Sequence, residues 1–299
     1  MADEKLNNAL SDNSEPMEES DQLDQTELDQ EQTEQFEPDE ELDQPEQVEE
    51  NLTDVGGNRA VEVFYRGIRE IETGTLAYFQ SKTRLNTPGL GILMPETFRD
   101  VAELSNQCLT LFEMEFGQVL EAAKKFKERD FFYKWVSVYM PPNYLLERGA
   151  EQKLLNTIEE NDTDCNRICF ELPLKILSEG TVKHARVIEN LRNRGFHFML
   201  TGFGGNDSPL MKLSDYPVDF VMLSQEITTY IGKNERSNAA VHSVVSFVDG
   251  LGADAIADGV STANQAEAFF EADCRYIAGN LAGKYTLAQY IRKRNNNTL

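Results

Sequence analysis

From residue 59 onwards, short apolar runs alternate with longer stretches whose apolar residues recur at helical spacing. The short runs predict strands at 61–68, 75–82, 133–139, 167–172, 196–201, 218–223, 253–257 and 275–278. The longer stretches predict helices near 96–128, 143–160, 178–194, 225–250 and 262–271. Strands that alternate with helices indicate a mostly parallel sheet with helices outside it. With this many units, the pattern favours an α/β fold in the form of a closed, TIM-type (β/α)8 barrel.

The first 57 residues follow another pattern, in which Asp, Glu and Gln surround sparse leucines. Residues 1–50 hold 20 acids and one lysine, a net charge of -19, whereas residues 51–299 hold 32 acids and 27 Lys and Arg residues, a net charge of -5. The first segment buries too little apolar surface to offset a chain entropy of about 1–2 kcal/mol per residue. We therefore predict a disordered acidic tail and linker over 1–57, followed by a barrel domain over 58–294. The tail either only solvates the protein or docks to a basic partner.

Composition and spacing narrow the class of protein further. No apolar run approaches the about 18 residues of a membrane span, and the N-terminus is unlike a secretory signal. We expect a cytoplasmic protein with no membrane contact. The cysteines have no metal-ligand pairing with histidines and are expected to be buried thiols; they are Cys108, Cys165, Cys169 and Cys274. The basic run at 292–294 is too short, in an acidic chain, to predict nucleic-acid binding.

Nine short segments in the barrel region, at matching intervals, are similar to the motifs of one known family. The segments are Tyr65–Ile68, Thr73–Gly74, Arg84–Phe98, Val136–Val138, Phe170–Leu172, Gly195–Gly204, Pro217–Asp219, Ala257–Val260 and Cys274–Lys284. Together they make residues 64–285 resemble the EAL family of cyclic-di-GMP phosphodiesterases. The resemblance implies a barrel of the EAL kind, whose chemistry lies at the C-terminal ends of the strands.

The position of the family's Glu-x-Leu-x-Arg signature decides how the site is interpreted. Glu62 and Arg66 have the spacing of the signature. Four downstream residues follow at the family's intervals only when the signature is placed at Gln80–Arg84 instead. These four are Pro88, Gly91, Pro95 and Phe98. We therefore expect the neutral amide of Gln80 where the family has its signature glutamate.

The resemblance implies hydrolysis of a phosphodiester by water held between divalent cations, which need carboxylates and other oxygen ligands. At most of the positions that the family uses for this chemistry, the chain has other residues. They are Gln80, Tyr139, Thr201, Gly202, Met222, Ser224, Ser261 and Ala278. Glu171 and Asp258 keep a carboxylate and Arg84 keeps its charge, so these three are the candidate ligand-binding residues. Loss of a general acid or base alone removes about 10²–10⁴ in rate. We expect no catalytic residue, no bound metal and no cofactor.

The residual charged residues also have structural interpretations. Without a metal, Glu171 would pair with Arg84 or accept backbone hydrogen bonds. Asp258 would cap the turn at the residue that follows it. Asp207 and Asp219 are near the lost acids and are conceivable replacements for them. The glycine-rich loop at 201–205 either presents backbone N–H groups to a phosphate or only needs flexible turns.

The replaced residues favour a catalytically inactive protein. Because inactive members of the EAL family include regulators that bind other proteins, the resemblance implies a regulator that acts by binding an unidentified protein partner, in or derived from cyclic-di-GMP signalling. A cyclic-di-GMP receptor that binds without cleaving is the alternative. A residual phosphodiesterase is less favoured because most of its acids are replaced. The resemblance also suggests a homodimer, since dimers are frequent in the family.

Overall fold

The computed structural model describes residues 54–55, 58–206 and 208–293. The predicted tail and linker over 1–57 lie outside the described residues, apart from Asp54–Val55. Asp207, one of the two conceivable replacement acids, also lies outside them. None of the described helices is long and apolar enough to cross a bilayer.

The described residues form strands and helices close to the predicted positions. The strands are β1 (Asp54–Val55), β2 (Asn58–Arg59), β3 (Val61–Glu70), β4 (Leu76–Thr87), β5 (Gly91–Leu93), β6 (Val136–Tyr139), β7 (Ile168–Pro173), β8 (His197–Phe203), β9 (Phe220–Leu223), β10 (Asp254–Ala257), β11 (Tyr276–Ile277) and β12 (Thr286–Leu287). The α-helices are α1 (Pro95–Leu104), α2 (Gln107–Glu128), α3 (Ala150–Glu160), α4 (Ile176–Glu179), α5 (Val182–Asn193), α6 (Gln225–Thr228), α7 (Glu235–Gly250) and α8 (Ala263–Glu271). Short 3₁₀ helices lie at Pro142–Leu146, Cys165–Arg167, Leu210–Asp215 and Ala288–Tyr290.

Eight strands close into a barrel, which confirms the predicted architecture. They are β3, β4, β6, β7, β8, β9, β10 and β11. Strands β4 and β6 to β11 pair in parallel, whereas β3 is antiparallel to both of its neighbours, β4 and β11. The reason for the reversed strand is local: β3 and β4 are joined by a tight turn at Gly74, which has a φ of 65°. So short a connection permits only an antiparallel pair.

Four of the five predicted helices are interrupted, and the longest two, at 96–128 and 225–250, show a local cause. The stretch 96–128 forms α1 and α2, because Asn106 takes a left-handed φ of 56° between them, a conformation that Asn tolerates better than most residues. The stretch 225–250 forms α6 and α7, with Gly232 at a φ of 76° between them. Helix α7 then begins anew at Asn234, whose side chain accepts a hydrogen bond from the backbone N–H of Ser237.

Large apolar and aromatic side chains fill the interior of the barrel. Near its N-terminal end, the rings of Tyr78 and Trp135 stack with centroids 4.0 Å apart, and Phe220 and Tyr276 contact Tyr78 edge-on. Met222 belongs to the same buried cluster. A second core fills the space between the outer faces of the strands and the helices. Three of the four cysteines are buried as predicted, and they are Cys108, Cys169 and Cys274. Cys165 is only half-buried, so the prediction is wrong for that residue.

Candidate functional site

Gln80 lies at the mouth of the barrel and is the centre of its polar contacts. Its Oε1 accepts hydrogen bonds from Arg66 Nε at 2.8 Å, from Arg66 Nη2 at 2.6 Å and from the Tyr285 hydroxyl at 2.9 Å. Its Nε2 donates to Glu171 Oε2 at 3.2 Å and contacts Met222 Sδ at 3.3 Å. Gln80 is only 5% exposed. Its amide is therefore buried, and both its oxygen and its nitrogen have hydrogen-bond partners.

Arg66 reaches the mouth from β3, directly opposite Gln80 in the antiparallel register. Its Nη2 also donates to Asp258 Oδ1 at 2.6 Å, and the guanidinium carbon lies 4.7 Å from the centre of the Tyr285 ring. The side chains of Arg66 and Asp258 are only 8% and 13% exposed. The mouth therefore contains a permanent cation that belongs to the protein.

Glu171 lies inside the mouth at the end of β7, with the Ser137 hydroxyl donating to its Oε1 and the Gln80 amide to its Oε2. Burial raises the pKa of the Glu171 carboxyl, and the two hydrogen bonds only partly oppose this shift. The predicted backbone donors are therefore wrong, because side chains of neighbouring strands hold this carboxylate.

Asp258 follows β10 and holds three donors on its two carboxylate oxygens. Oδ1 accepts from Arg66 and from the backbone N–H of Gly259 at 2.7 Å, and Oδ2 accepts from Gln225 Nε2 at 2.9 Å. The predicted capping role of Asp258 is confirmed. Its bond to Arg66 is an addition that the sequence did not suggest.

Arg84 does not meet Glu171, and the predicted pairing of these two residues is wrong. Its guanidinium binds Glu62 Oε2 at 2.8–2.9 Å and lies 4.2 Å above the ring of Phe64. Arg84 is four residues beyond Gln80 on β4, and Glu62 is its direct cross-strand neighbour on β3. The structure thus brings together Glu171 and Asp258, through Gln80 and Arg66, and places Arg84 in a separate ion pair.

The two candidate signatures face each other across β3 and β4. In the antiparallel ladder, Glu62 is opposite Arg84 and Arg66 is opposite Gln80. Each arginine therefore binds the acid or amide of the other signature. Arg66 is the charged mouth residue that the sequence did not point to, and its only signal was the Glu62…Arg66 spacing. Tyr285, the other omission, follows Lys284 at the end of the family-like closing segment.

Helix α1 covers one side of the mouth, at Tyr139. The Tyr139 hydroxyl donates to Glu103 Oε1 at 2.8 Å, and the guanidinium carbon of Arg99 lies 3.9 Å from the ring centre. Arg99 also forms an ion pair with Glu115, with Nη2 at 2.8 Å from Oε1. The Glu115 side chain is only 1% exposed. Burial raises the pKa of Glu115, against the lowering effect of Arg99. Tyr139 is thus held by α1 and its neighbours.

Asp219 cannot replace a mouth acid, because it lies at the opposite end of the barrel, immediately before β9. Its carboxylate binds Arg192 at 2.6 Å and the backbone N–H of Phe198 at 2.9 Å.

The glycine-rich loop at 201–205 and the residue after it already use some of their backbone N–H groups in hydrogen bonds within the protein. Gly204 N–H donates to the Ser208 hydroxyl at 3.1 Å, and Asn206 N–H donates to Glu226 at 3.1 Å. These two N–H groups are therefore already paired inside the protein.

The donor set does not fit a pair of divalent cations. Among the described residues, no group of three or more His, Cys, Asp or Glu side chains is placed to hold a metal ion. The mouth offers Glu171 and Asp258 with the neutral Gln80 between them, and Arg66 occupies the space next to Asp258. Two carboxylates cannot complete two coordination shells of six or so oxygens.

The sequence model of the EAL domain family matches residues 49–285 of the chain. Among curated proteins, the chain is 24% identical over 224 residues to the cyclic di-GMP phosphodiesterase RocR of Pseudomonas aeruginosa, which covers 75% of this chain and 57% of RocR. It is 23% identical over 212 residues to the cyclic di-GMP phosphodiesterase PdeL of Escherichia coli, covering 70% of this chain and 58% of PdeL. The chain thus spans less than two thirds of the length of these relatives.

Solved structures of the same fold superpose closely. The PaMucR phosphodiesterase in complex with c-di-GMP has a TM-score of 0.69 at 16% identity, covering 77% of this chain and 93% of that chain. The FimX EAL domain of Xanthomonas citri, also in complex with c-di-GMP, has a TM-score of 0.66 at 16% identity, covering 76% of this chain and 88% of the other. At this identity, the likeness establishes the barrel fold.

Proposed function

This chain belongs to the EAL domain family, and from that premise we propose that it is a regulator that acts by binding a protein and does not hydrolyse cyclic di-GMP. The observation that carries the proposal is Arg66, whose guanidinium lies between Gln80 Oε1 and Asp258 Oδ1, 2.6 Å from each. The guanidinium of Arg66 therefore occupies the position at Asp258 where a metal ion would have to bind.

The electrostatic cost of a second cation at this place is large. An ion bound to Asp258 Oδ1 would lie within about 4 Å of the guanidinium, since both contact the same oxygen. At an effective dielectric constant of about 20, a single and a double positive charge at that distance repel by about 8 kcal/mol. Gln80 contributes a neutral amide to the site, so it supplies no charge that would offset the repulsion.

The state of Glu171 supports the same conclusion. Its carboxylate is buried and already accepts hydrogen bonds from Ser137 and Gln80. Because burial raises its pKa, part of its population is protonated at a higher pH than for an ordinary glutamate. A protonated carboxyl is a poor ligand for a hard cation. Burial of Glu171 and its two existing hydrogen bonds therefore both weigh against metal binding at this carboxyl.

The test is hydrolysis of cyclic di-GMP by the full chain, followed by chromatography of the linear dinucleotide with Mg²⁺ and separately with Mn²⁺. We expect no product above the rate of an enzyme-free blank. RocR assayed in the same buffers is the positive control. Turnover that increases with the amount of this protein and disappears with EDTA would overturn the proposal.

A cyclic-di-GMP receptor without hydrolysis is the second candidate, and one observation favours it. Arg84 keeps a side chain that is 28% exposed at the upper part of the β3–β4 ladder. Calorimetry with cyclic di-GMP, with and without Mg²⁺, separates the two functions. Micromolar binding that is lost in Arg84→Ala, but kept in the exposed control Arg186→Ala, would favour the receptor over the protein-binding regulator.

A further inference from the structure

A groove on the outer face of the barrel lies next to β3 and β4 and the C-terminal segment. Its volume is about 680 Å³, which is within the range of ligand sites. The chain after β11 forms only the two-residue β12 and the 3₁₀ turn Ala288–Tyr290 among the described residues, where most barrel strands are followed by an α-helix. The groove therefore lies where the C-terminal segment, without an α-helix, follows β11 along the outside of the barrel.

The walls of this β3–β4 groove combine apolar and aromatic side chains with polar ones. Leu76 and Phe131 belong to the side of β4 and the end of α2, and Tyr290 and Ile291 belong to the C-terminal segment. Phe132 stands at the edge with 88% of its surface exposed, and Tyr290 is 53% exposed. Large exposed aromatic side chains beside a concave surface are typical of protein interfaces.

The rim of the groove is positively charged in a protein of net charge -24. Its described lining residues include five cations and one acid, Asp130. Of the cations, Arg66 points into the mouth, whereas Lys284, Arg292 and Lys293 are exposed at the rim. These three make no ion pair with another described residue, so their charge is available to an anionic partner.

We propose that the β3–β4 groove binds an acidic amphipathic helix of a partner protein, with apolar side chains packed against Phe132 and Tyr290 and carboxylates facing Arg292 and Lys293. The proposal rests on the proposed function, because it names the surface and the partner chemistry of a protein-binding regulator. A helix fits because, among the described residues, no α-helix follows β11 on this side of the barrel. An acidic one fits because the rim is cationic.

The binding experiment uses the full chain and a fluorescein-labelled peptide with Leu and Phe at helical spacing and Glu at the other positions. Fluorescence anisotropy measures its affinity against two matched peptides, one with Lys for every Glu and one with Ser for every apolar residue. We expect the acidic amphipathic peptide to bind at least about tenfold more tightly than either. Affinity should fall as salt rises from about 50 to about 300 mM, because exposed charges are screened. Equal affinity for the three peptides would overturn the proposal.

Two pairs of variants locate the binding surface. Arg292→Glu with Lys293→Glu should weaken the peptide about tenfold or more. Lys183→Glu with Lys233→Glu, exposed residues that do not line the groove, should leave the affinity within about twofold. Unchanged binding in the first variant would place the contact elsewhere and refute the groove.

The aromatic contribution is tested in the same way. Phe132→Ser is expected to weaken the peptide about tenfold, whereas Leu104→Ser, 90% exposed and outside the groove, should not. Both positions are exposed, so both variants should keep the circular dichroism of the parent. A single-stranded thymidine oligonucleotide that binds more tightly than the peptide would assign the groove to nucleic acid and sink the proposal. Turnover of cyclic di-GMP would instead overturn the inactivity of the mouth and leave the groove result standing.

Discussion

Replacing Arg66 with Met is the most informative perturbation of the mouth. The substitution keeps an unbranched side chain but removes the guanidinium, which makes two hydrogen bonds to Gln80 and one to Asp258. Removal of one partner from a buried ion pair costs about 3–5 kcal/mol. Asp258 keeps its bonds from Gly259 and Gln225, so we expect the lower end, a loss of about 3 kcal/mol.

Arg84→Met is the matched control on the same pair of strands. Arg84 also binds an acid and also lies over an aromatic ring, but its side chain is 28% exposed, against 8% for Arg66. Its partner Glu62 retains a hydrogen bond from Asn86 Nδ2 at 2.8 Å. We therefore expect Arg84→Met to cost about 1–2 kcal/mol.

Urea unfolding followed by circular dichroism measures both losses in the free energy of unfolding. Thermal unfolding followed in the same way measures the Tm. At about 2–4 °C per kcal/mol for a domain of this size, Arg66→Met should lower the Tm by about 6–12 °C. Mg²⁺ should not stabilise the parent protein over EDTA, because Arg66 already neutralises Asp258 and leaves no strong site for the ion. A loss for Arg66→Met no larger than that for Arg84→Met, or a rise of several degrees on adding Mg²⁺ to the parent, would refute the internal-cation argument.

Three further substitutions test the site and its support. Because burial raises the folded pKa of Glu171 above its ordinary value of 4.5, the stability that its protonation contributes is present below pH 4.5 and is lost as the pH rises through the folded pKa. Urea titrations should therefore show Glu171→Gln gaining stability relative to the parent as the pH rises above 4.5, and a pH-independent difference would contradict this. Tyr139→Phe removes the hydrogen bond to Glu103 and should lower the free energy of unfolding by about 1–2 kcal/mol in urea, and an unchanged value would contradict a stabilising role of this bond. Gly279→Ala should cost about 3 kcal/mol or more, since the new Cβ would lie 2.4 Å from the Val260 carbonyl oxygen at a φ of 135°, whereas Gly232→Ala, with open space around it, should cost about 1 kcal/mol; equal losses would be against this reasoning.

The barrel was predictable because each strand and helix carries its own periodic signal. The helix interruptions were not, since the break before α2 depends on Asn106 accepting a left-handed conformation, which many sequences would avoid by remaining helical. The 3₁₀ helix at Pro142–Leu146, which replaces the start of the helix predicted at 143–160, was likewise not predictable from the helical spacing. Local propensity sets the type of an element more firmly than its ends.

The site was only half predictable, because its contacts cross between strands. Glu171 and Asp258 were found by position along the chain, and both lie at the mouth. Arg66 was set aside because its four-residue spacing to Glu62 belonged to the rejected signature. Only the register of β3 against β4, which places Arg66 opposite Gln80, reveals what it contacts. A register between distant strands is a tertiary property that spacing within one strand does not contain.

Charge matching within the mouth also bears on where a binding function can reside. In a metal-dependent site, the bound ion offsets the repulsion between clustered carboxylates and so stabilises the folded protein. Metal binding and stability are therefore coupled. Here Arg66 and Asp258 satisfy each other within one chain, so that stabilisation is present without a ligand. Recognition by charge then needs cations that are not already matched. Arg292 and Lys293, exposed and without an ion pair to any described residue, meet this condition on the outer face of the barrel. A charged partner is therefore expected to meet unmatched cations at the β3–β4 groove and not at the mouth.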